Sequence, residues 1–171
     1  MKRLTLVTLA VGLLVGCSAK YSTNDVHKNT ELLKRNLPVV IAMPADGVYS
    51  TQTYAGSGRL TADSIRSAFM KYSDSVKLSM VCEDVVCLKE KNTLAQGYYV
   101  VPEITHWEDR ATEWSGKPDK IDVKITIYNA ELDSLVASTI ISGQSKWATF
   151  GGDHPQDLLP VPVNSYISSL Y

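Results

Sequence analysis

The sequence predicts an α/β fold: a single small domain with a mixed five-stranded sheet in the order β-α-β-α-β-β-β-α, packed helices and a C-terminal antiparallel meander, preceded by a signal peptide. Three observations carry this. Pro38 to Met43 is an unbroken apolar run rich in β-branched residues, the mark of a strand buried on both faces. Ile65, Ala68, Phe69 and Tyr72 recur at helical spacing. Ile121, Val123, Ile125 and Ile127 alternate with Asp122, Lys124 and Thr126, the period of a half-buried strand.

The folded part is expected to begin near Leu32, and the first strand at Pro38 leads into a loop containing Gly47, Gly56 and Gly58. Ser57 can cap a helix running to about Tyr72. Val76, Leu78 and Met80 then alternate with Lys77 and Ser79 as a second strand. A second helix from about Asp84 to Gln96 sets Leu88, Leu94 and Ala95 on one side and stops at Gly97, a natural residue beyond a helix end. Tyr98 to about Trp107 reads as the third strand, and Pro102, which cannot donate to a ladder, calls for a bulge or an edge there. Ile121–Tyr128 and Leu135 to about Trp147 form an antiparallel hairpin across the turn from Asn129 to Ser134. Pro160 and Pro162 introduce a final helix whose apolar stripe is Val163, Tyr166, Ile167 and Leu170. The element order places right-handed crossovers early and the meander late.

The first residues speak to compartment. Lys2 and Arg3 precede an apolar run, Leu4 to Val15, broken only by Thr5, Thr8 and Gly12. That is a signal-peptide pattern, too short to span a bilayer as a mature helix, which takes about 20 residues. It ends in Leu14-Val15-Gly16-Cys17, which resembles the bacterial lipobox. Small residues let the backbone enter a peptidase cleft, and the Cys17 thiol is the nucleophile that takes a diacylglycerol before cleavage. On this reading residues 1–16 are removed, 17–31 form a polar tether and 32–171 form the domain. Cys17 then carries covalent diacylglycerol and an N-acyl chain such as palmitate, each buried methylene contributing about 0.8 kcal/mol, so two or three chains anchor stably. No other cofactor is expected. Ser18 in place of Asp, by resemblance to the sorting rule of Gram-negative lipoproteins, favours the outer membrane, with the domain facing the periplasm. The plainer reading is a secretory signal with an incidental cysteine.

Cys82 and Cys87 remain, in a compartment that permits disulfides, and are expected to be bonded. A half metal site or a redox pair is the alternative, but the spacing is CxxxxC and no further cysteine completes a thiolate set. Loss of residues 1–16 removes two basic and no acidic residues, moving the net side-chain charge from −1 to −3. Nothing here points to nucleic acid.

Two segments gather the unusual residues. One is His106-Trp107-Glu108-Asp109-Arg110 with Glu113 and Trp114; the other is Trp147 with Phe150-Gly151-Gly152-Asp153-His154-Pro155. They flank the ends of the third and fifth strands and can converge at one edge. Trp and Arg are enriched at binding hot spots, so Trp107, Arg110, Trp114 and Trp147 are candidates for gripping a partner. His106, Glu108, Asp109, Asp153 and His154 are the alternative, as metal ligands or a paired acid and base. No HExxH or other spacing of high specificity supports that chemistry. In the plainer reading, Trp and His cover the end of the sheet and Arg110 pairs with a carboxylate. Gly56-Ser57-Gly58 invites an activated serine or an anion at a helix start, but the hydrolase elbow is GxSxG and Ser57 already has a capping role. His27 falls in the tether and reads as solvated.

The segments HWEDRATEWSGKPD (106–119) and WATFGGDHPQDLLP (147–160), with MPADG (43–47) and the terminal SYISSLY, resemble a family of short Gram-negative lipoproteins, domain of unknown function 4823. The resemblance covers nearly all of the mature chain. It implies a lipoprotein and supplies no activity and no catalytic residue. The order of elements is also similar to the small α/β domains of envelope assembly factors, such as activator lipoproteins of cell-wall synthases and the periplasmic domain of curli secretion pores. That likeness is topological, and fold does not establish function. The leading expectation is a non-enzymatic module, anchored to the membrane, for an envelope protein or cell-wall partner. The alternatives are a metal-binding protein or hydrolase using His106, Glu108, Asp153 and His154, and a purely structural lipoprotein. Oligomeric state is not readable from the sequence.

Overall fold

A computed structural model of the chain describes residues 18–28, 31–110, 117–146 and 154–171. In chain order the strands and helices are β1 (Lys20–His27), β2 (Val39–Ala42), a small hairpin of β3 (Val48–Tyr49) and β4 (Gln52–Thr53), α1 (Ser57–Phe69), β5 (Val76–Ser79) and α2 (Val85–Lys91). Then follow β6 (Tyr98–Glu108), β7 (Lys120–Asn129), β8 (Ser134–Gln144), a 3-10 turn at Pro155–Leu158 and α3 (Pro160–Ser169). The main sheet has the order β1-β8-β7-β6-β2-β5. β2 runs parallel to β5 and β6, and β6, β7, β8 and β1 are mutually antiparallel neighbours.

Side-chain parity explains the layers. Val39 and Ile41 of β2 face one cluster and Val40 and Ala42 the other, so the run at 39–42 is buried on both sides. Ile121, Val123, Ile125 and Ile127 of β7 are fully buried beneath α1 and α3, whose Ile65, Phe69, Val163 and Ile167 complete the larger core. α2 covers a corner of the opposite face, with Leu88 against Val40, Ala42 and Tyr99. Farther along that face, Lys20, Ser22, Lys120, Asp122, Ser142 and Gln144 are half-buried or exposed. Among the described residues no helix is long and apolar enough to cross a membrane.

The sheet has six strands where five were predicted. The sixth is β1, in the polar stretch expected to be a tether, and all eight of its residues are exposed. Its register with β8 is held by backbone pairing from Lys20↔Gln144 onward. An exposed edge strand needs no apolar face, so hydrophobic periodicity is silent there. α2 is shorter than expected. Asp84 caps its start, accepting a hydrogen bond from the Cys87 N–H at 2.8 Å, and the helix stops at Asn92. There the Tyr99 hydroxyl donates to the Asn92 carbonyl and accepts from the Leu94 N–H, satisfying groups that further helix would have used. Cys82 and Cys87 are bonded and tie this helix to the end of β5. Pro102 lies two residues beyond Val100, the last partner of β2, on a stretch of β6 paired to β7 alone, and a bulge follows between Ile104 and His106.

Candidate functional site

The bulge in β6 decides which way the chemistry-bearing residues face. Without it, Ile104 and Trp107 would lie on opposite faces; the extra residue, Thr105, brings both to the covered side. Trp107 is 2% exposed and belongs to the larger core cluster. Its expected place on a partner-binding edge is therefore corrected: the indole fills the space between the sheet and the MPADG loop. A Cβ on Gly47 would lie 2.5 Å from the Trp107 Cβ, which is why the loop needs glycine there.

His106 and Glu108 turn to the other face. The buried Glu108 carboxylate has both oxygens engaged, Oε2 with His106 Nε2 at 3.0 Å and Oε1 with the Arg110 guanidinium. Arg110 also donates to the Tyr49 hydroxyl and stacks on that ring, which meets His106 edge-on at 5.3 Å. Tyr49, from the β3–β4 hairpin, thus closes the cluster against β6. Asp109 points elsewhere, with one oxygen 4.0 Å from His154 Nδ1. The proposed acid and imidazole set accordingly falls into two pairs, His106–Glu108 and His154–Asp109. Asp153 lies outside the described residues, and among those described no group of three His, Cys, Asp or Glu is placed to hold a metal.

Trp114 and Trp147 also lie outside the described residues, but the stems of their segments are joined. Asp119 is fully buried and accepts from the Arg110 N–H at 2.6 Å, while its own N–H donates to Ser145 Oγ at 2.9 Å. The Ser145 N–H returns a bond to the Asp119 carbonyl at 3.0 Å. Residues 110, 119 and 145 therefore form one clasp from which both Trp-bearing segments depart. Sequence reasoning missed Asp119; a carboxylate directly before a strand start gave only a turn signal.

The sheet ends here in a row, Lys20–Gln144–Lys120–Glu108, followed inward by Ser22–Ser142–Asp122–His106. The first three strands of these rows, with His106, line a groove of about 430 Å³ on the uncovered face. Cys17 lies outside the described residues, three positions before Lys20.

The helix start at Gly56-Ser57-Gly58 is already occupied. Gly56, in the left-handed conformation at φ 88°, is the capping residue. Asp46 accepts from the Gly56 and Gly58 N–H groups at 3.1 and 2.8 Å, and the Gly47 N–H donates to the Ser57 hydroxyl at 2.8 Å. Ser57 is 2% exposed and is not the cap; the Asp46 carboxylate takes that role and fills the place an external anion would use.

The family model described as domain of unknown function (DUF4823) matches residues 31–170. The chain is similar in structure to the PelC dodecamer subunit from Paraburkholderia phytofirmans, with a TM-score of 0.65 at 9% identity over 89% of this chain and 96% of that one. It is also similar to a Xanthomonas campestris protein assigned to the DUF330 family model, with a TM-score of 0.50 at 13% identity over 85% of this chain and 90% of that one. At such identities the likeness is one of fold. Comparison with curated proteins finds no match. The chain belongs to the DUF4823 family.

Proposed function

We propose that this family member is a lipoprotein of the cell envelope, anchored through diacylglycerol and an N-acyl chain on Cys17, that serves as a non-enzymatic binding or assembly module at the periplasmic side of the outer membrane. The lipobox at 14–17 supports the anchor. The observation that carries the module reading is the clasp of Arg110, Asp119 and Ser145 at the end of the sheet where β1 begins. It holds the stems of the two Trp-bearing segments together beside the point where the chain leads back to Cys17. Trp114 and Trp147, with Arg110, are the partner-binding residues of this reading, while Trp107 belongs to the core.

The hydrolase or metal alternative is disfavoured because its described members fall into two separate pairs, His106–Glu108 and His154–Asp109. Self-assembly is the form of partnership to examine first. The main sheet has two edge strands, β1 and β5, and a neighbour of the same fold is a dodecamer. Unlike edges meeting head to tail generate rings when the rotation closes.

The test is in-cell crosslinking from a photoreactive residue at position 114, with mass spectrometry of the captured species. One dominant partner, another copy of the chain or a single envelope protein, is the expected result. No captured species, together with stoichiometric zinc lost in His106→Ala or His154→Ala, would replace this reading with the metal site.

A further inference from the structure

We infer that the groove on the uncovered sheet face is a binding site for the phosphate of an anionic phospholipid in the leaflet that holds the anchor. The inference rests on the lipid-anchor reading above and adds a second contact with the same membrane. Lys20 and Lys120 are both paired with Gln144, one on each side, so their side chains rise from the same face, two strand spacings or about 9.5 Å apart. That separation lets two ammonium groups reach one phosphodiester lying between them. Gln144 and Ser142 form the floor and supply neutral donors. Both lysines are exposed, so their charge is available to a ligand. Among the described residues lining the groove the carboxylate is Asp122, which lies in the next row inward beside His106 and so farther from the anchored end.

Distance points to lipid as the source of the phosphate. Lys20 lies three positions after Cys17, a span of at most about 11 Å. A headgroup layer occupies roughly 5–7 Å of each leaflet. Once Cys17 is acylated, the first residue of the row Lys20–Gln144–Lys120 is therefore held within about 11 Å of the anchored cysteine, in reach of the headgroups. Lys146 is also exposed at this end and adds positive charge there.

The test uses the mature chain, residues 17–171 with Cys17→Ser, so that acylation contributes nothing to binding. Co-sedimentation is measured with phosphatidylglycerol-containing vesicles and with phosphatidylcholine vesicles. Binding is expected only to the former and is expected to weaken with salt. Each lysine near an anionic surface contributes about 1 kcal/mol, so Lys20→Gln with Lys120→Gln should weaken binding about 30-fold. Lys20→Arg with Lys120→Arg should retain it. Equal binding to both vesicle types, or an unchanged double Gln variant, would overturn the inference. Displacement by inorganic phosphate at constant ionic strength would mark a free-anion site and overturn the lipid assignment. Labelling of the full chain with palmitate in cells tests the anchor separately: label on Cys17 without phosphatidylglycerol dependence rejects the groove alone, and dependence without label rejects the anchor alone.

Discussion

Trp107→Ala separates a core role from a binding role for the central aromatic residue. The indole is 2% exposed and is enclosed by Ile104, Gly47 and the covered face of the sheet. Removing a buried Trp side chain leaves a cavity that closes only partly, so the expected loss is about 3–5 kcal/mol. For a domain of this size that is a fall in Tm of roughly 9–15 °C. Urea unfolding followed by far-UV circular dichroism measures it, with an unchanged m-value showing that the comparison is between like states. Gly47→Ala supplies the internal control. Its Cβ would lie 2.5 Å from the Trp107 Cβ and 3.0 Å from Ile104 Cγ2, so overpacking should cost about 1–3 kcal/mol. Because alanine keeps its own Cβ, Trp107→Ala should not rescue Gly47→Ala, whereas Trp107→Gly should. A loss below about 1 kcal/mol for Trp107→Ala, the scale of surface substitutions, would refute the core assignment and return Trp107 to the binding edge.

Three further outcomes follow from single contacts. Asp46→Ala removes the acceptor for the Gly56 and Gly58 N–H groups and should cost about 1–2 kcal/mol in urea unfolding, with Asp46→Asn recovering part of it. Burial, and then the nearby Asp25 carboxylate, push the Tyr166 phenol well above the usual tyrosine range. The folded state thus holds a proton that the unfolded chain releases, so stability is intact below about pH 10 and falls as pH rises from there towards the raised folded value. Among the described residues the Tyr166 hydroxyl has no hydrogen-bond partner, so Tyr166→Phe should leave neutral-pH stability unchanged or raise it by about 1 kcal/mol, and should reduce the alkaline loss seen in urea midpoints. Replacing Cys82 and Cys87 together by Ser opens a loop with a sequence separation of 5 and should cost about 2 kcal/mol, read as a lower urea midpoint that reducing agent does not lower further.

The parts of this fold legible in the sequence are those where burial imposes a period. β2 and β7 were readable because every second residue of β7, and every residue of β2, enters a core. The apolar stripe of α3 was readable for the same reason, with Val163 and Ile167 fully buried. β1 was not, because an exposed edge strand is specified by the hydrogen bonds its neighbour offers, and those leave no trace in side-chain polarity. The end of α2 was set by the Tyr99 hydroxyl, a contact outside any local pattern. The site suffered most from the bulge at Thr105. A shift of one residue exchanges the faces of everything after it, and a sequence that signals only that Pro102 needs relief cannot say where the shift falls. So the clustering of unusual residues around 106–110 was visible, but which of them face the core and which face outward was not.

The placement of β1 also fixes which partners an anchored chain can meet. A free tether spanning residues 17–31 could extend roughly 50 Å, enough to carry the domain away from its membrane. With residues 20–27 committed to the sheet, only Ser18 and Ala19 stand between the acylated cysteine and the first paired residue. The reach shrinks to about 10 Å. If Cys17 is the anchor, the end of the sheet that carries Lys20, Gln144, Lys120 and Glu108, with the clasp beside it, is the end nearer the membrane. A partner engaged at the clasp of Arg110, Asp119 and Ser145 would then be met near the membrane surface: another anchored copy, an integral protein, or the lipid itself. A partner held deep in the periplasm would have to use the far end, where the β7–β8 turn lies beside Leu33, whose N–H donates to the Leu170 carbonyl at the end of α3.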